Sequence, residues 1–375
     1  MDQFDALLFD LDGVVYVGPD AVPHAAASIA QARARGAACV FVTNNAARPA
    51  RSVAEHLTAI GVPATVDEVV TSPEAAASLL PDFVPDGAKV LVIGGEGIRS
   101  VLVDRGYVPV SSLDDQPAAV MQGYSPDLDW KALAEATFAV RTGIPWIATN
   151  PDLTFPTARG VAPGNGAFVE IVGRTAGRVP DAVAGKPEPP LLHEAIRRSG
   201  ASRPLMIGDR LDTDIEAGWR VGVPTLLVMT GVTTVADLFA ALPHERPDFV
   251  GEDLRVLLDP YPDVMLDAQT GEAQCRGARA HVRGGRVSVA GGDYWHRLRA
   301  AAAAAWRAVD DQRLTADEAR LSADGMGRAV EELGRSADGM GRSAEELGLS
   351  ADGMGRTAED LGRYGGTDEG GSHAR

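Results

Sequence analysis

The sequence predicts an α/β protein built around a Rossmann-like parallel β-sheet. Up to about residue 260, short runs rich in valine, isoleucine and leucine alternate with longer amphipathic segments. Continuous apolar runs are typical of strands buried on both faces, and their alternation with helical segments is typical of βαβ units. Several runs end in acidic or hydroxyl side chains. Because open parallel sheets bind ligands beyond the carboxyl ends of their strands, we expect the functional residues there.

The predicted elements follow one another in this alternating order. Strands are predicted at Ala6–Leu11, Ala38–Thr43, Lys89–Gly94, Ala118–Gly123, Trp146–Thr149, Pro204–Ile207 and Thr225–Met229. Helices are predicted at His24–Arg35, Pro49–Ile60, Pro73–Leu80, Trp130–Arg141, Pro189–Arg198 and Asp212–Arg220. After residue 260 the pattern changes: residues 262–290 hold short β-like pieces separated by glycines, and a helix is predicted from Tyr294 to Asp311.

Composition excludes several classes of partner. The 375-residue chain has a formal net charge of −17, which repels nucleic-acid backbones and anionic membranes. Its two cysteines, Cys39 and Cys275, offer neither a disulfide framework nor a zinc-binding spacing. The acidic N-terminus lacks the basic region of a signal peptide, and no apolar run reaches the roughly 18 residues of a membrane span. These features predict a cytoplasmic protein without nucleic-acid or membrane partners.

The strongest chemical signal follows the first strand, at Asp10 and Asp12. Two carboxylates one residue apart project from the same side of an extended strand, and their charges repel unless a cation lies between them. Gly13 permits a tight change of direction directly afterwards. The alternative is a strand that ends in a solvated acidic turn.

Two further junctions carry residues of the types that bind oxyanions. Thr43, Asn44 and Asn45 follow the second strand, and their hydroxyl and amide groups can donate hydrogen bonds to an oxyanion. Lys186 lies between a glycine and a proline at the start of a helix. Taken singly, the first group also fits a polar loop, and the lysine also fits an ordinary exposed position.

A fourth junction places carboxylates after the apolar strand that ends at Ile207. Asp209 follows Gly208 directly, and Asp212 and Asp214 come shortly after it. The latter two also fit favourable acids in the first turn of a helix. Asp209, directly after Ile207 and Gly208, is harder to explain in this way.

In this order, the four junctions resemble the haloacid dehalogenase (HAD) superfamily, and specifically its class IIA phosphatases. The resemblance covers about residues 4–260. It includes two further motifs, Asn150-Pro151-Asp152 and Pro163-Gly164-Asn165-Gly166, besides Gly185-Lys186-Pro187 and the segment from Gly208 to Asp214. The overall length and the extra C-terminal segment are similar to those of bacterial glycerol-3-phosphate phosphatases in this class.

The resemblance implies a mechanism with named residues. Asp10 would attack phosphorus and form an aspartyl phosphate, and Asp12 would act as general acid and base. Mg²⁺ would be bound by the carboxylates of Asp10 and Asp209 and by the backbone carbonyl of Asp12. The phosphoryl oxygens would be held by Thr43, the amides near Asn44 and Asn45, and Lys186, and Asp214 would orient Lys186 or a metal-bound water.

The resemblance also implies a substrate class and a domain organisation. A small phosphorylated metabolite is expected: glycerol 3-phosphate, with p-nitrophenyl phosphate, phosphoglycolate or a nucleoside monophosphate as alternatives. About 140 residues separate Thr43 from Lys186, enough for an inserted α/β (C2-type) cap. The expected domains are the catalytic core at 1–79 and 180–260, the cap at 80–179, a small α+β extension at 261–314 and a flexible tail at 315–375. In the cap, the segment from Asp152 to Pro156 is expected to face the leaving group, with plain packing of Phe155 as the alternative.

The tail contains an internal repeat. Residues 322–363 are three copies of a fourteen-residue sequence with three glycines in each copy. One interpretation is a thin coiled-coil seam that supports a homo-oligomer, and with it a scaffold whose HAD core is inert. The alternative is a flexible tail, because each glycine costs about 1 kcal/mol in a helix.

Overall fold

The structure, a computed structural model, describes residues 3–157 and 159–323. It contains a six-stranded sheet and a five-stranded sheet, and every strand pair within each of the two is parallel. Helices lie between most successive strands. The predicted α/β class is therefore confirmed.

The first part of the core contains three parallel strands and their helices. Its elements are β1 (Ala6–Phe9), β2 (Tyr16–Val17), β3 (Asp20–Ala21), α1 (Ala25–Ala34), β4 (Ala38–Thr43), α2 (Ala50–Ala59), β5 (Val69–Thr71) and α3 (Ser72–Leu79). The start of α3 is fixed by Glu74, whose side chain accepts a hydrogen bond from the Thr71 backbone N–H at 2.8 Å. The polar residues after β1 and β4 thus follow rigid, buried strands.

The inserted segment forms the second parallel sheet. Its elements are β6 (Lys89–Ile93), α4 (Glu96–Asp104), β7 (Val108–Val110), β8 (Ala119–Gln122), α5 (Trp130–Arg141), β9 (Trp146–Ala148), β10 (Thr154–Thr157), β11 (Gly160–Pro163), α6 (Asn165–Ala176) and β12 (Ala182–Val183). The strand order is β12-β9-β8-β6-β7, and β10 and β11 form a separate hairpin. We refer to this segment as the cap.

The chain then returns to the core and continues into the extension. The returning elements are α7 (Pro190–Ser199), β13 (Pro204–Gly208), α8 (Glu216–Val221), β14 (Thr225–Val228), α9 (Val235–Ala240) and β15 (Phe249–Gly251). The core sheet has the order β15-β14-β13-β1-β4-β5. The extension contains the antiparallel strands β16 (Met265–Leu266), β17 (Ala273–Cys275), β18 (Ala278–Arg283) and β19 (Arg286–Ala290), followed by α10 (Tyr294–Asp310) and α11 (Ala316–Ser322).

Some predicted boundaries differ from the structure. β1 ends at Phe9 rather than Leu11, and the predicted helix Asp212–Arg220 is replaced by a π-helical turn at Leu211–Ile215 followed by α8. Short elements such as β5 and β7 were not predicted, because three residues give little periodicity. The wide turn at 211–215 forms where Asp214 bonds to preceding backbone amides, a local effect that apolar periodicity does not report.

Two of the expected domain limits also differ. β12 pairs with β9, so the cap sheet extends past residue 179 to Val183. The tail predicted from 315 begins with a helix, α11, in which Ala319 is buried and Arg320 bonds to Asp237 of α9. This helix is stabilised by packing that sequence composition does not reveal. Except for Ser322 and Ala323, the fourteen-residue repeat lies outside the described residues.

One buried apolar cluster spans the core and the cap. It includes Leu8 and Val42 of the core sheet together with Val92 and Met121 of the cap sheet, and the alanines of α3 lie within it. The two sheets therefore share one hydrophobic interior. Within the ranges that the structure covers, no helix combines the length and the apolar character that crossing a bilayer requires.

Candidate active site

Three polar residues lie at one edge of the core sheet. Asp10 directly follows β1, Thr43 is the last residue of β4, and Asp209 directly follows β13. Since β1 pairs in parallel with both β4 and β13, the carboxyl ends of the three strands meet.

A buried lysine and three carboxylates converge at this edge. Carboxylate oxygens of Asp10, Asp209 and Asp214 all lie within 4.8 Å of one another. Lys186 Nζ is 2.5 Å from Asp10 Oδ1 and 2.7 Å from Asp214 Oδ1. Lys186, Asp209 and Asp214 are at most 2% exposed. Residues that lie up to about 200 positions apart in the sequence thus form one charged cluster.

Among the residues that the structure describes, this cluster contains three carboxylates but only one lysine. Burial raises the pKa of Asp10 well above its ordinary value; Lys186 offsets part of the rise, and the charges of Asp214 and Asp209 add to it. Burial, with the Asp214 charge, raises the pKa of Asp209 to about 7. Burial alone would lower the pKa of Lys186, but its two acidic partners outweigh that effect and the net shift is upward. The three acids therefore carry more negative charge than one lysine neutralises, and an added cation would favour their ionised forms.

Asp214 is fixed by the backbone that precedes it. Its Oδ2 accepts hydrogen bonds from the amides of Asp209 at 3.2 Å and Arg210 at 3.1 Å, while Oδ1 accepts from Lys186. Gly208 is required for this approach, since a Cβ there would lie 2.1 Å from the Cβ of Asp214. Asp214 therefore positions Lys186 against Asp10.

Asp209 has one oxygen available for a metal ion. Its Oδ2 accepts a hydrogen bond from the Val232 amide at 2.7 Å, whereas its buried Oδ1 has no hydrogen-bond partner among the described residues. Buried polar atoms nearly always have a partner. A hard divalent cation, which prefers carboxylate oxygens, would satisfy this atom. The residues present thus fit the Mg²⁺ that the sequence resemblance implies.

Two glycines allow the close packing around Asp209. Gly13 has a φ of +84°, and a Cβ at that position would lie 2.6 Å from Asp209 Oδ2. A Cβ at Gly231 would lie 1.9 Å from the same atom. Sequence reasoning selected Gly13 for its turn but missed Gly231 and Val232, because no chemically distinctive residue marks that loop.

The Asn44 side chain makes contacts that the sequence did not predict. Its side-chain Nδ2 donates to the Lys186 carbonyl at 2.9 Å and to Asp152 Oδ2 at 3.0 Å, and its Oδ1 accepts from the Lys186 amide at 2.8 Å. Gly185 makes room for it, since a Cβ there would lie 2.6 Å from Asn44 Oδ1. The Asn44 side chain therefore holds the lysine loop and the cap, and its hydrogen-bonding groups are used in doing so.

Thr43 and Asn45 form a local turn at the end of β4. The Asn45 amide donates to Thr43 Oγ1 at 3.0 Å, and Asn45 Oδ1 accepts from the Ala47 amide at 2.9 Å. Thr43 is buried and Asn45 is exposed. Of this pair, the Thr43 hydroxyl retains its proton for donation, which is what a phosphoryl oxygen requires.

Asp12 lies outside the carboxylate cluster. After β1 the chain turns, and the amides of Val15 and Tyr16 both donate to the Leu11 carbonyl. β1 ends at Phe9, so neither Asp10 nor Asp12 lies within the strand that the sequence analysis extended to Leu11. The Asp12 side chain is exposed, yet the protein atoms around its carboxylate raise its pKa, an effect that the charge of Lys186 partly offsets.

Asp152 and Arg210 join the cap to the core near Lys186. Asp152 bonds to Asn44, and its Oδ1 lies 3.8 Å from Nη1 of Arg210. Partial burial raises the pKa of Asp152, while the Arg210 charge acts against that shift. Phe155, which follows in the cap, packs edge-on against Tyr124 with ring centroids 4.7 Å apart. This contact with Tyr124 is the packing that the sequence analysis gave as the alternative role of Phe155.

Two sequence-family models match parts of the chain. A model described as haloacid dehalogenase-like hydrolase matches residues 7–108, and a second described as HAD-hydrolase-like matches residues 183–257. D-glycerol 3-phosphate phosphatase of Mycobacterium tuberculosis is 44% identical over 292 residues, which cover 78% of this chain and 80% of that protein. Acid sugar phosphatase of Staphylococcus aureus is 38% identical over 240 residues, covering 64% and 91% respectively.

Two similar solved structures are also phosphatases. Glycerol phosphate phosphatase from Mycobacterium tuberculosis in complex with magnesium superposes with a TM-score of 0.72 at 42% identity, covering 81% of this chain and 90% of that chain. A p-nitrophenyl phosphatase from Archaeoglobus fulgidus superposes with a TM-score of 0.64 at 30% identity, covering 68% and 98%.

Proposed function

This chain belongs to the haloacid dehalogenase-like hydrolases, and from that premise we propose that it is a magnesium-dependent phosphatase of small phosphate monoesters, with glycerol 3-phosphate as substrate. The observation that carries the proposal is the cluster of Asp10, Asp209, Asp214 and Lys186, in which one carboxylate oxygen has no hydrogen-bond partner among the residues that the structure describes. An excess of buried carboxylates is unfavourable unless a cation compensates it.

Asp10 is the nucleophile of the proposed reaction. Its carboxylate attacks phosphorus in line, an oxygen–phosphorus bond forms, and the bond to the ester oxygen breaks. Asp12 gives its proton to the departing alkoxide. In the second half-reaction Asp12 accepts a proton from water, the water oxygen binds phosphorus, and the bond to Asp10 breaks. The exposed position and raised pKa of Asp12 suit a group that exchanges protons with both substrate and solvent.

Lys186 and Thr43 bind the phosphoryl oxygens in this proposal. The Lys186 ammonium already faces Asp10, so it meets the oxygens of a group transferred to that residue. Two residues position Lys186. Asp214 accepts a hydrogen bond from its ammonium group, and the Asn44 side chain accepts one from its backbone amide. Asn45 contributes through the turn that orients Thr43.

Asp10, Asp209 and the backbone carbonyl of Asp12 are the proposed ligands of Mg²⁺. When bound, the ion supplies positive charge to the nucleophile and to the phosphoryl oxygens. The unpartnered Oδ1 of Asp209 supports this assignment.

The substrate assignment rests on the relatives and is tested by ranking esters. We expect kcat/KM for glycerol 3-phosphate to exceed that for phosphoglycolate and nucleoside monophosphates by about 10-fold or more, since a mismatched leaving group costs about 1–3 kcal/mol. Phosphate release should stop with EDTA and return with Mg²⁺. Equal kcat/KM values across the panel would remove the glycerol assignment, and undiminished turnover in EDTA would contradict the metal assignment.

Gly231→Ala should disturb the metal ligand without altering its chemistry. The new methyl group would meet Asp209 Oδ2, so the carboxylate must shift. We expect the Mg²⁺ concentration for half-maximal activity to rise by roughly 10- to 100-fold, as when a group that orients a metal ligand is lost. Gly95→Ala is the matched control, because a Cβ there has no neighbour closer than 3.5 Å. An unchanged Mg²⁺ dependence in Gly231→Ala would argue against Asp209 as a ligand.

We also propose a cytoplasmic location and self-association through the C-terminal repeat. Cys39 and Cys275 are both free and buried, in keeping with a reducing cytoplasm. The partner is a small phosphorylated metabolite. Self-association is assigned to the C-terminal repeat and is read from the oligomeric state of a chain truncated after residue 323.

A further inference from the structure

The loop between β14 and α9, residues 229–234, contacts two separate parts of the proposed metal site. On one side it meets Asp209, whose carboxylate accepts a hydrogen bond from the Val232 amide at 2.7 Å. On the other side it meets the turn that follows β1, where the Thr230 hydroxyl donates to the Gly13 carbonyl at 2.6 Å. The loop therefore connects Asp209 to the turn in which the proposed nucleophile and general acid lie.

The loop is held at both of its ends. At its start, the Met229 amide donates to the carbonyl of Gly251, the last residue of β15, at 3.0 Å. At its end, the Thr234 hydroxyl accepts a hydrogen bond from the Asp237 amide at 3.2 Å and caps α9. These bonds tie the loop to the core sheet and to a helix. Thr230 therefore lies in a segment that the surrounding core fixes.

Gly13 is the part of the turn that Thr230 holds. Its amide donates to the Tyr16 carbonyl at 2.8 Å, and its carbonyl accepts from Thr230, so both of its backbone polar groups are bonded. In a trans peptide the C=O and N–H groups point in opposite directions, so the bond to Tyr16 also sets the direction of the Asp12 carbonyl. That carbonyl is one of the proposed ligands of Mg²⁺.

The turn, the loop and the Asp209 carboxylate pack directly against one another. A Cβ at Gly13 would lie 2.6 Å from Asp209 Oδ2 and 3.1 Å from the Cα of Gly231. Thr230 thus holds the turn at the point where it approaches Asp209. Loss of the Thr230 hydroxyl would leave the Gly13 carbonyl without this donor, and the turn could then move relative to Asp209.

We propose that Thr230 is a positioning residue of the metal site. Its hydroxyl holds the turn that contains Asp12 against the Asp209 carboxylate, so that both proposed ligands can bind one ion. The inference rests on the proposed function, because it takes Mg²⁺ to be bound by these groups. Thr230 acts through the backbone of Gly13 rather than by contact with substrate, so its loss should weaken metal binding before it affects the chemical step.

Thr230→Val tests this role, since it removes the hydroxyl and keeps a β-branched side chain of similar shape. The full chain is melted over a range of Mg²⁺ concentrations, and the rise in melting temperature gives the Kd for Mg²⁺ without any turnover. We expect this Kd to rise about 10-fold in Thr230→Val, as when a group that orients a metal ligand is lost. Thr230→Ser keeps the hydroxyl and should restore most of the affinity. Asp209→Asn, which removes a proposed ligand, should abolish most of the rise.

Thr142→Val is the matched control. The Thr142 hydroxyl also donates to a backbone carbonyl, that of Ala139 at 2.7 Å, but it lies at the end of α5 in the cap, so its loss should leave the Kd for Mg²⁺ unchanged. A lower melting temperature in Thr230→Val with an unchanged Kd would show that the hydroxyl only stabilises the fold, and it would overturn this inference alone. A parent chain whose melting temperature does not respond to Mg²⁺, or an Asp209→Asn variant that responds as the parent does, would overturn the metal assignment and the inference with it.

Discussion

Asp10→Asn should abolish phosphate release from p-nitrophenyl phosphate. The amide oxygen is a poor nucleophile and carries no charge, so the covalent step with phosphorus is lost. Removal of a catalytic nucleophile typically lowers kcat by roughly 10⁴- to 10⁶-fold. The substitution also removes a carboxylate whose own pKa is raised by burial and by the neighbouring charges of Asp214 and Asp209, so we expect the fold to be retained. Steady-state phosphate release and a thermal melt together check both statements.

Asp20→Asn is the matched control for this variant. Asp20 is an exposed aspartate in β3, ten residues after Asp10. Its replacement should leave kcat within about two-fold of the parent, as is usual for exposed positions. Ordinary turnover in Asp10→Asn would exclude an aspartyl-phosphate mechanism at this residue. A second sign of the intermediate is phosphate transferred to the chain from substrate under acid quench, which should be absent in the variant.

Lys186→Met should lower both activity and stability. The ammonium that faces Asp10 disappears, and loss of such a group typically costs about 10²- to 10³-fold in kcat. The buried carboxylate of Asp214 and the partly buried carboxylate of Asp10 lose their common partner. Breaking a buried pair from one side costs about 3–5 kcal/mol of unfolding free energy. Urea denaturation and steady-state kinetics measure the two effects separately.

A second substitution distinguishes charge imbalance from lost packing. Adding Asp214→Asn to Lys186→Met removes one unpaired carboxylate, so it should restore part of the unfolding free energy without restoring turnover. Lys131→Met, an exposed lysine on α5, should alter neither quantity. If Lys186→Met is as stable as the parent and equally active, the charged cluster has neither the structural nor the catalytic role assigned to it.

The strand-end residues of the site could be anticipated from sequence because their positions follow from one rule. Asp10, Thr43 and Asp209 each end or follow a buried run, and parallel strands place such ends at the same edge. Lys186 could be included only through its resemblance to a known pattern. No local feature indicates that its ammonium reaches Asp10, which is 176 positions away.

What sequence reasoning missed depends on contacts between distant segments. The side-chain amide of Asn44 bonds to the backbone of Lys186, a pairing that only the folded geometry reveals. Gly231 matters only because Asp209 passes beside it. The exit of Asp12 from the strand depends on the hydrogen bonds to Leu11, which override the simple alternation of an extended chain.

The apolar cluster shared by the two parallel sheets limits how this enzyme could acquire a new specificity. An inserted segment that touched its host only through polar loops could be exchanged for another by recombination. Here Val92 and Met121 pack into the same interior as Leu8 and Val42, and the alanines of α3 leave room for them. Because close-packed interiors tolerate volume changes poorly, a transplanted insert would have to arrive with compensating substitutions in its new host. Gradual change at surface residues of the existing insert is the easier evolutionary route.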